Sequence, residues 1–161
     1  MNMQNLASLH TGPDCSMPPT RNQCGYGFVR PHLAATYPFL STSVSLDCNA
    51  ATNFNQGCGT SFKNPNSFGA GFNAQGGGWF VMERSKNKGI SMWFWSRTDP
   101  NVPLAIRERS ENMEPDSSWG VPEAYFPTSG CDYDSHFDAH RMIFDTTLCV
   151  SNSLRPPRFD L

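Results

Sequence analysis

The chain has 161 residues, the length of one domain, with 12 basic and 14 acidic residues and a formal net charge of −2. This balance argues against nucleic acid or an anionic membrane as a partner. Gly and Pro number 13 each, aromatic residues reach 12%, and only 16% of residues are charged, a composition typical of a turn-rich, all-β protein.

Six cysteines without a C-x-x-C spacing favour disulfides in an oxidising compartment over structural zinc. The first residues, Met1–His10, have neither the basic start nor the apolar run of a signal peptide, and no segment is long and apolar enough to span a membrane. We therefore expect the true start of the protein to lie upstream of this sequence.

The first half of the chain contains one short strand pattern and long irregular stretches. Asn5–His10 alternates in polarity and is predicted to be a strand. Gly25–Ser45 has no sustained period of either kind. Asp47–Gly78 is rich in Asn, Gly and Ser and is predicted to be mostly loop.

A β-hairpin is the strongest local prediction. Trp79–Arg84 and Ile90–Arg97 are rich in aromatic residues and flank the polar turn Ser85–Gly89. Alternation places Trp79, Val81 and Glu83 on one face and Phe80, Met82 and Arg84 on the other. Because neither face is purely polar, the hairpin should lie mid-sheet and be covered on both sides. One side suits a sandwich core, and the other suits the aromatic, partly polar groove typical of carbohydrate binding.

The last third carries fewer patterns. Thr98–Ser118 is predicted to be a connection, Arg141–Thr147 alternates like a strand, and Val150–Leu161 is expected to be poorly ordered. No stretch predicts a helix of any length.

Within Cys131–His140, carboxylates and imidazoles occupy every second position: Asp132, Asp134, His136, Asp138 and His140. An extended backbone would gather them on one face, where a cation could bind; the alternative is a solvated loop.

Six segments, taken together, resemble the fungal members of glycoside hydrolase family 16. They read S-L-H-T-G-P-D-C-S-M-P, C-N-A-A-T-N-F-N-Q-G-C-G, F-N-A-Q-G-G-G-W-F-V-M-E-R, M-W-F-W-S-R, W-G-V-P-E-A-Y-F and C-D-Y-D-S-H-F-D-A-H-R-M-I-F-D-T-T-L-C. Those relatives are endo-β-1,3(4)-glucanases, or laminarinases. The resemblance implies an all-β, concanavalin A-like β-jelly-roll sandwich, here incomplete at its N-terminal edge, with no metal and no cofactor.

The catalytic motif of that family is absent. Its retaining mechanism uses E-x-D-x-x-E on one strand, with the nucleophile and the acid/base about 5–5.5 Å apart. The sequence contains no such motif; in relatives it lies just before the segment that matches Asn2–His10. We therefore predict no catalytic residue in this chain. Glu83 is interpreted as a paired structural carboxylate and not as a replacement catalyst.

The resemblance also indicates substrate-binding residues, with β-glucan as the partner. His10 falls where an imidazole can hydrogen-bond a sugar hydroxyl, and tryptophans can stack on the apolar faces of glucose rings, although some of them must belong to the core. The predicted substrate-binding set is His10, Trp79, Glu83, Trp95, Arg97 and Trp119.

Two segments depart from the family pattern. We predict a partial family 16 domain over residues 1–149, with an insertion at residues 25–45, and a disordered tail over residues 150–161. Our hypothesis is that both segments are unspliced intron read as protein; continuous coding sequence in genomic DNA and transcript would refute it. Cys24 would then be adventitious, and Cys15, Cys48 and Cys58 are expected to pair among themselves.

The function predicted from these observations is that of a truncated member of a secreted fungal β-1,3(4)-glucanase family, inactive as the isolated chain. Two alternatives stay open: a non-catalytic β-glucan-binding remnant, and a non-functional product of a mis-spliced gene. The parent family is extracellular. An in-frame upstream E-x-D-x-x-E together with a signal peptide would favour the hypothesis of a truncated enzyme.

Overall fold

Two antiparallel sheets form the architecture of the computed structural model, which describes residues 5–27 and 45–145. Within those ranges the first sheet has the strand order β1-β3-β2, and the second sheet has the order β4-β5-β6. The strands are β1 (Leu6–Leu9), β2 (Tyr26–Gly27), β3 (Cys58–Ser61), β4 (Gly78–Ser85), β5 (Gly89–Ser96) and β6 (Ala124–Phe126).

Strands β4 and β5 are the predicted hairpin. Their register pairs Trp79 with Trp95 and Phe80 with Phe94, which confirms the predicted faces. Gly89 starts the return strand at φ +87°, and a Cβ atom there would lie 2.2 Å from the carbonyl oxygen of Phe126, so only glycine lets β6 pair this closely. The mid-sheet prediction holds for β5, which lies between β4 and β6, but β4 is an edge strand of the described sheet.

The first sheet confirms the strand predicted over Asn5–His10. Its register pairs Ala7 with Thr60 and Leu9 with Cys58. Ala7, Cys58 and Thr60 are buried, whereas Leu6 and Ser8 are exposed. One face of this sheet therefore points into the protein and the other points to solvent.

Two hydrophobic cores lie on opposite faces of the second sheet. The first core packs Ile90 and Phe94 against Ala7 of the first sheet and against Phe62, which directly follows β3. The Phe62 and Phe80 rings, 6.1 Å apart, bridge the two sheets, so the sheets stack face to face as a sandwich. The second core covers the other face of β5 and consists of Trp93, Trp95, Val102, Ile106 and Trp119, with Trp79 and Val81 packed against it. The prediction that both faces are covered is thus confirmed for β5, whereas Phe80 and Met82 of β4 are 42% and 53% exposed.

Three short helices correct the prediction that the chain has no helical stretch. They are α1 (Gly69–Ala74), α2 (Leu104–Arg107) and α3 (Tyr133–His136), accompanied by 3₁₀ turns at Asn53–Asn55 and Ser117–Trp119. Six residues or fewer are too few for a 3.6-residue period to show in the sequence.

The predicted loop over residues 47–78 contains β3 and α1. Residues 141–145 of the strand predicted over Arg141–Thr147 are exposed and do not form a strand; residues 146–147 lie outside the described ranges.

The disulfides correct one part of the cysteine prediction. Cys48 pairs with Cys58, as expected, but Cys15 pairs with Cys131, 116 positions away, and not within the N-terminal group. Cys24 is exposed and unpaired in the described part of the chain. The predictions for residues 28–44, for Cys149 and for the tail fall outside the described residues.

Candidate functional site

The predicted substrate-binding residues lie on two opposite outer faces of the sandwich. His10 continues the outward alternation of Leu6 and Ser8 and lies on the outer face of the first sheet. Trp79, Glu83 and Trp95 share the outer face of the second sheet, the face away from the first core. The structure therefore does not bring the six residues into one site.

His10 is exposed and held in place by a neighbouring loop. Its Nδ1 lies 2.9 Å from Oδ1 of Asn55. Because an amide oxygen only accepts, Nδ1 is the donor in this contact, and Nε2 has no hydrogen-bond partner among the described residues. Gly57, at φ +64°, passes close beneath: a Cβ atom there would lie 2.4 Å from the carbonyl oxygen of Leu9 and 3.0 Å from the His10 ring. A larger residue at position 57 would displace the imidazole.

The same loop presents an aromatic ring to solvent. Phe54 has a relative exposure of 106%, so its ring has no packing partner among the described residues. Phe54 and Asn55 have φ values of 56° and 61°, a left-handed conformation that costs about 1–2 kcal/mol per non-glycine residue. The Cys48–Cys58 disulfide spans this loop. The sequence analysis missed both residues; a phenylalanine in an Asn-rich loop between two cysteines was the available signal.

A shallow depression surrounds Trp79 on the outer face of the second sheet. The guanidinium of Arg97 stacks on the Trp79 ring, 4.1 Å from its centroid. The depression has a volume of about 350 Å³ and is lined by Trp79, Arg97, Thr98, Asp99, Pro100, Val102 and Arg107. We refer to it as the Trp79 depression.

Trp95 and Trp119 lie inside the second core, with only 8% and 5% of their surfaces exposed. The edge of Trp119 meets the rings of Trp93 and Trp95, at centroid distances of 5.3 and 5.9 Å. Trp93 Nε1 donates to the carbonyl oxygen of Gly120 at 3.2 Å, which satisfies its polar atom. These rings stabilise the fold, and Trp79 is the half-buried tryptophan beside the solvent.

Glu83 is a paired carboxylate, as the sequence predicts, and its partner is Lys88. The Lys88 Nζ and Glu83 Oε1 atoms are 3.1 Å apart, and 21% of the Glu83 side chain is exposed. Arg84 points to the opposite face, where it donates to the carbonyl oxygen of Asp138 at 2.9 Å. The ion pair with Lys88 gives the Glu83 carboxylate a structural partner on this face of the sheet.

The alternating Asp and His residues do not form a shared face. Asp132 caps α3 by accepting from the backbone N–H of Ser135, and hydrogen bonds from Ser135 lower the pKa of Asp132. Asp134 forms an ion pair with Lys86. Hydrogen bonds to the carbonyl oxygens of Pro13 and Asp132 raise the pKa of His136. No group of three His, Cys, Asp or Glu residues in the described ranges is placed to hold a metal ion.

Comparisons with known proteins agree on one family. Residues 1–155 match the family model described as the XgeA-like, catalytic GH16 domain. A probable glycosidase of Schizosaccharomyces pombe is 32% identical over 145 residues, which are 90% of this chain and 30% of that protein. The endo-1,3(4)-beta-glucanase of Arthroderma benhamiae is 31% identical over 150 residues, covering 91% of this chain and 28% of the relative.

Solved structures give the same result. Laminarinase 16A from Phanerochaete chrysosporium, with 6-O-glucosyl-laminaritriose in donor and acceptor sites, has a TM-score of 0.68 and 37% identity. The match covers 83% of this chain and 39% of that one, and it confirms the predicted jelly-roll sandwich, of which the described sheets form an incomplete part. The chain spans 28% to 39% of the length of these relatives.

Proposed function

Because the chain belongs to the XgeA-like catalytic domains of glycoside hydrolase family 16, we propose that it binds β-1,3(4)-glucan on the outer face of its first sheet but does not hydrolyse it as the 161-residue chain. The observation that carries this proposal is the pairing of an anchored, exposed imidazole at His10 with the exposed ring of Phe54 in the adjoining loop. The resemblance assigns His10 to substrate, and Phe54 is the neighbour in sequence of Asn55, which holds the His10 ring.

Each group supplies one component of sugar recognition. The free Nε2 of His10 accepts a hydrogen bond from a sugar hydroxyl, and the Phe54 ring offers a flat apolar surface to the C–H face of a glucose unit. A single net hydrogen bond contributes about 0.5–1.5 kcal/mol. One ring and one hydrogen bond therefore support weak binding, with a Kd of about 1 mM or higher.

The proposed lack of hydrolysis follows from the carboxylates of this chain. Retaining hydrolysis needs a nucleophile and an acid/base about 5–5.5 Å apart. E-x-D-x-x-E does not occur in the 161 residues, and Glu83 is paired with Lys88 on the face opposite His10. General acid catalysis alone is worth about 10²–10⁴-fold, so losing both groups should remove measurable turnover.

We also propose an oxidising, extracellular location. Two disulfides, Cys15–Cys131 and Cys48–Cys58, tie together segments of this chain, and such bonds persist outside reducing compartments. In the described part of the chain, no helix has the length and apolar character needed to cross a membrane.

Binding is tested by saturation-transfer NMR of the purified chain with laminaritetraose. His10→Ala and Phe54→Ala should each weaken the signal, whereas Phe144→Ala, which removes an 89% exposed phenylalanine elsewhere, should not. Equal signals from all three variants would refute the proposed surface.

Hydrolysis is tested by reducing-sugar release from laminarin and lichenan across pH. The expected result is no release above background. Release that Glu83→Gln abolishes would overturn this part of the proposal and identify Glu83 as a catalyst.

A further inference from the structure

Three arginines gather around the Trp79 depression. Arg97 and Arg107 line it, and the guanidinium of Arg109 lies 6.0 Å from the centroid of the same Trp79 ring that Arg97 covers at 4.1 Å. All three arginine side chains are exposed. Three like charges around one small depression are unfavourable unless solvent or an anion compensates them.

The Asp99 carboxylate is the negatively charged group among the residues that line the depression. The ion pairs found in residues 5–27 and 45–145 are Lys86–Asp134 and Lys88–Glu83, so none of the three arginines has a carboxylate partner there. Stacking on Trp79 occupies the flat face of the Arg97 guanidinium and leaves its N–H edges free to donate. Arg107 is oriented by hydrogen bonds to the carbonyl oxygens of Pro100 at 3.1 Å and Val102 at 3.4 Å.

The depression also has apolar walls. The Trp79 ring and the Pro100 ring stand beside the arginines, and a volume of about 350 Å³ falls at the lower end of the range of small-molecule sites. Guanidinium groups match the planar geometry of a carboxylate and also hydrogen-bond sulfate oxygens, whereas an aromatic wall suits the C–H face of a sugar ring.

We propose that the Trp79 depression is a binding site for an acidic saccharide, a sugar unit that bears a carboxylate or a sulfate ester. Arg97 and Arg107 bind the acidic group and Arg109 adds positive charge. The exposed Pro100 ring, with the part of Trp79 that Arg97 leaves uncovered, lies against the sugar. The formal net charge of −2 disfavours a long polyanion such as nucleic acid, so the small concave site sets the ligand class. This site lies on the sandwich face opposite His10 and does not depend on the proposed binding of neutral glucan.

Asp99 provides an internal check. Its carboxylate lines the depression and accepts hydrogen bonds from the backbone N–H and the side-chain amide of Asn101, at 2.8 and 3.1 Å. Its negative charge opposes the binding of an acidic ligand, and Asp99→Asn keeps the oxygen that accepts these bonds. If an anion binds here, that variant should bind it more tightly.

The test is a tryptophan-fluorescence titration of the full chain with glucuronosyl-glucose, a sulfated glucose disaccharide and neutral cellobiose. The acidic sugars should bind and cellobiose should not, with affinity falling as salt rises from 20 to 200 mM. Arg97→Gln and Arg107→Gln should each weaken binding by about tenfold or more, as expected for a lost charged hydrogen bond. The two acidic probes distinguish carboxylate from sulfate as the preferred group.

Lys63→Gln is the matched control, since it removes one exposed positive charge outside the depression. An equal loss of affinity in this control would overturn the proposal in favour of non-specific charge attraction. Equal binding of inorganic sulfate alone would refute the saccharide part. Unchanged affinity in Arg97→Gln, with thermal unfolding like that of the parent, would refute the site itself. Phe54→Ala should leave all these titrations unchanged, which separates this site from the first sheet.

Discussion

The Cys15–Cys131 disulfide should stabilise this fold more than the Cys48–Cys58 disulfide does. The first bond closes a segment of 116 residues and the second a segment of 10. In the chain-entropy model, removing the long closure costs about 4.8 kcal/mol and removing the short one about 2.7 kcal/mol at 25 °C. The expected difference is therefore about 2 kcal/mol in the free energy of unfolding.

Burial does not bias this comparison. All four cysteines are between 0% and 3% exposed, so replacing either pair by alanine removes two buried sulfur atoms and creates similar cavities. The cavity contributions should largely cancel in the difference. The loop-closure contribution then remains.

The assay is urea unfolding of two double variants, Cys15→Ala with Cys131→Ala and Cys48→Ala with Cys58→Ala. Every protein compared also carries Cys24→Ser and Cys149→Ser, so that no spare thiol can exchange. The variant lacking the long closure should unfold at lower urea, and its melting temperature should lie about 4–8 °C below that of the other. Equal destabilisation, or a larger loss for the short closure, would refute the chain-entropy reasoning for this protein.

Three further predictions concern stability, each measured by denaturant unfolding. Trp119→Ala should cost about 3–5 kcal/mol because it opens the second core, whereas Phe144→Ala, at an 89% exposed position, should change stability by about 0.5 kcal/mol or less. Both ring nitrogens of His136 face backbone carbonyl oxygens. Only the protonated ring can donate hydrogen bonds to both oxygens, so these contacts raise the pKa of His136. The stability lost in His136→Gln should therefore be largest below the unfolded-state pKa of about 6.5 and should shrink as pH rises through the raised folded-state pKa; a difference that grows with pH would contradict this. Burial raises the pKa of Glu123, whose Oε2 accepts from the backbone N–H of Lys63 at 2.6 Å. Its favourable contribution is thus present below the unfolded-state pKa of about 4.3 and is lost as pH rises through the raised folded-state pKa. Glu123→Gln should therefore gain stability relative to the parent as pH rises over that interval, and a pH-independent difference would contradict this.

Local patterns in the sequence were enough to predict several elements. Alternation placed the β4–β5 hairpin and assigned Trp79 and Phe80 to opposite faces, and the register confirms both. The strand at Leu6–Leu9 was found in the same way. Side chains on a strand alternate by backbone geometry alone, so these features needed no knowledge of the rest of the chain.

The sequence could not predict which segments pack on each face of the hairpin, because those segments are distant in the chain. The hairpin sequence indicated an aromatic outer face, but only the packing of Val102, Ile106 and Trp119 shows that most of it is a closed second core. An opening remains at Trp79, and three arginines, at positions 97, 107 and 109, converge there from a strand end and the region of a short helix. Nothing in their sequence spacing indicates that convergence.

The sequence by itself determined the family, the all-β class and the absence of the E-x-D-x-x-E carboxylates, because these depend on residue identity and short-range order. Only the tertiary structure decided that Cys15 meets Cys131, that α3 breaks up the row of Asp and His residues, and that His10 and Trp79 belong to opposite faces. The physical reason is that alternation fixes which side chains share a face of a strand, whereas the free energy of burying those faces fixes which distant segments cover them.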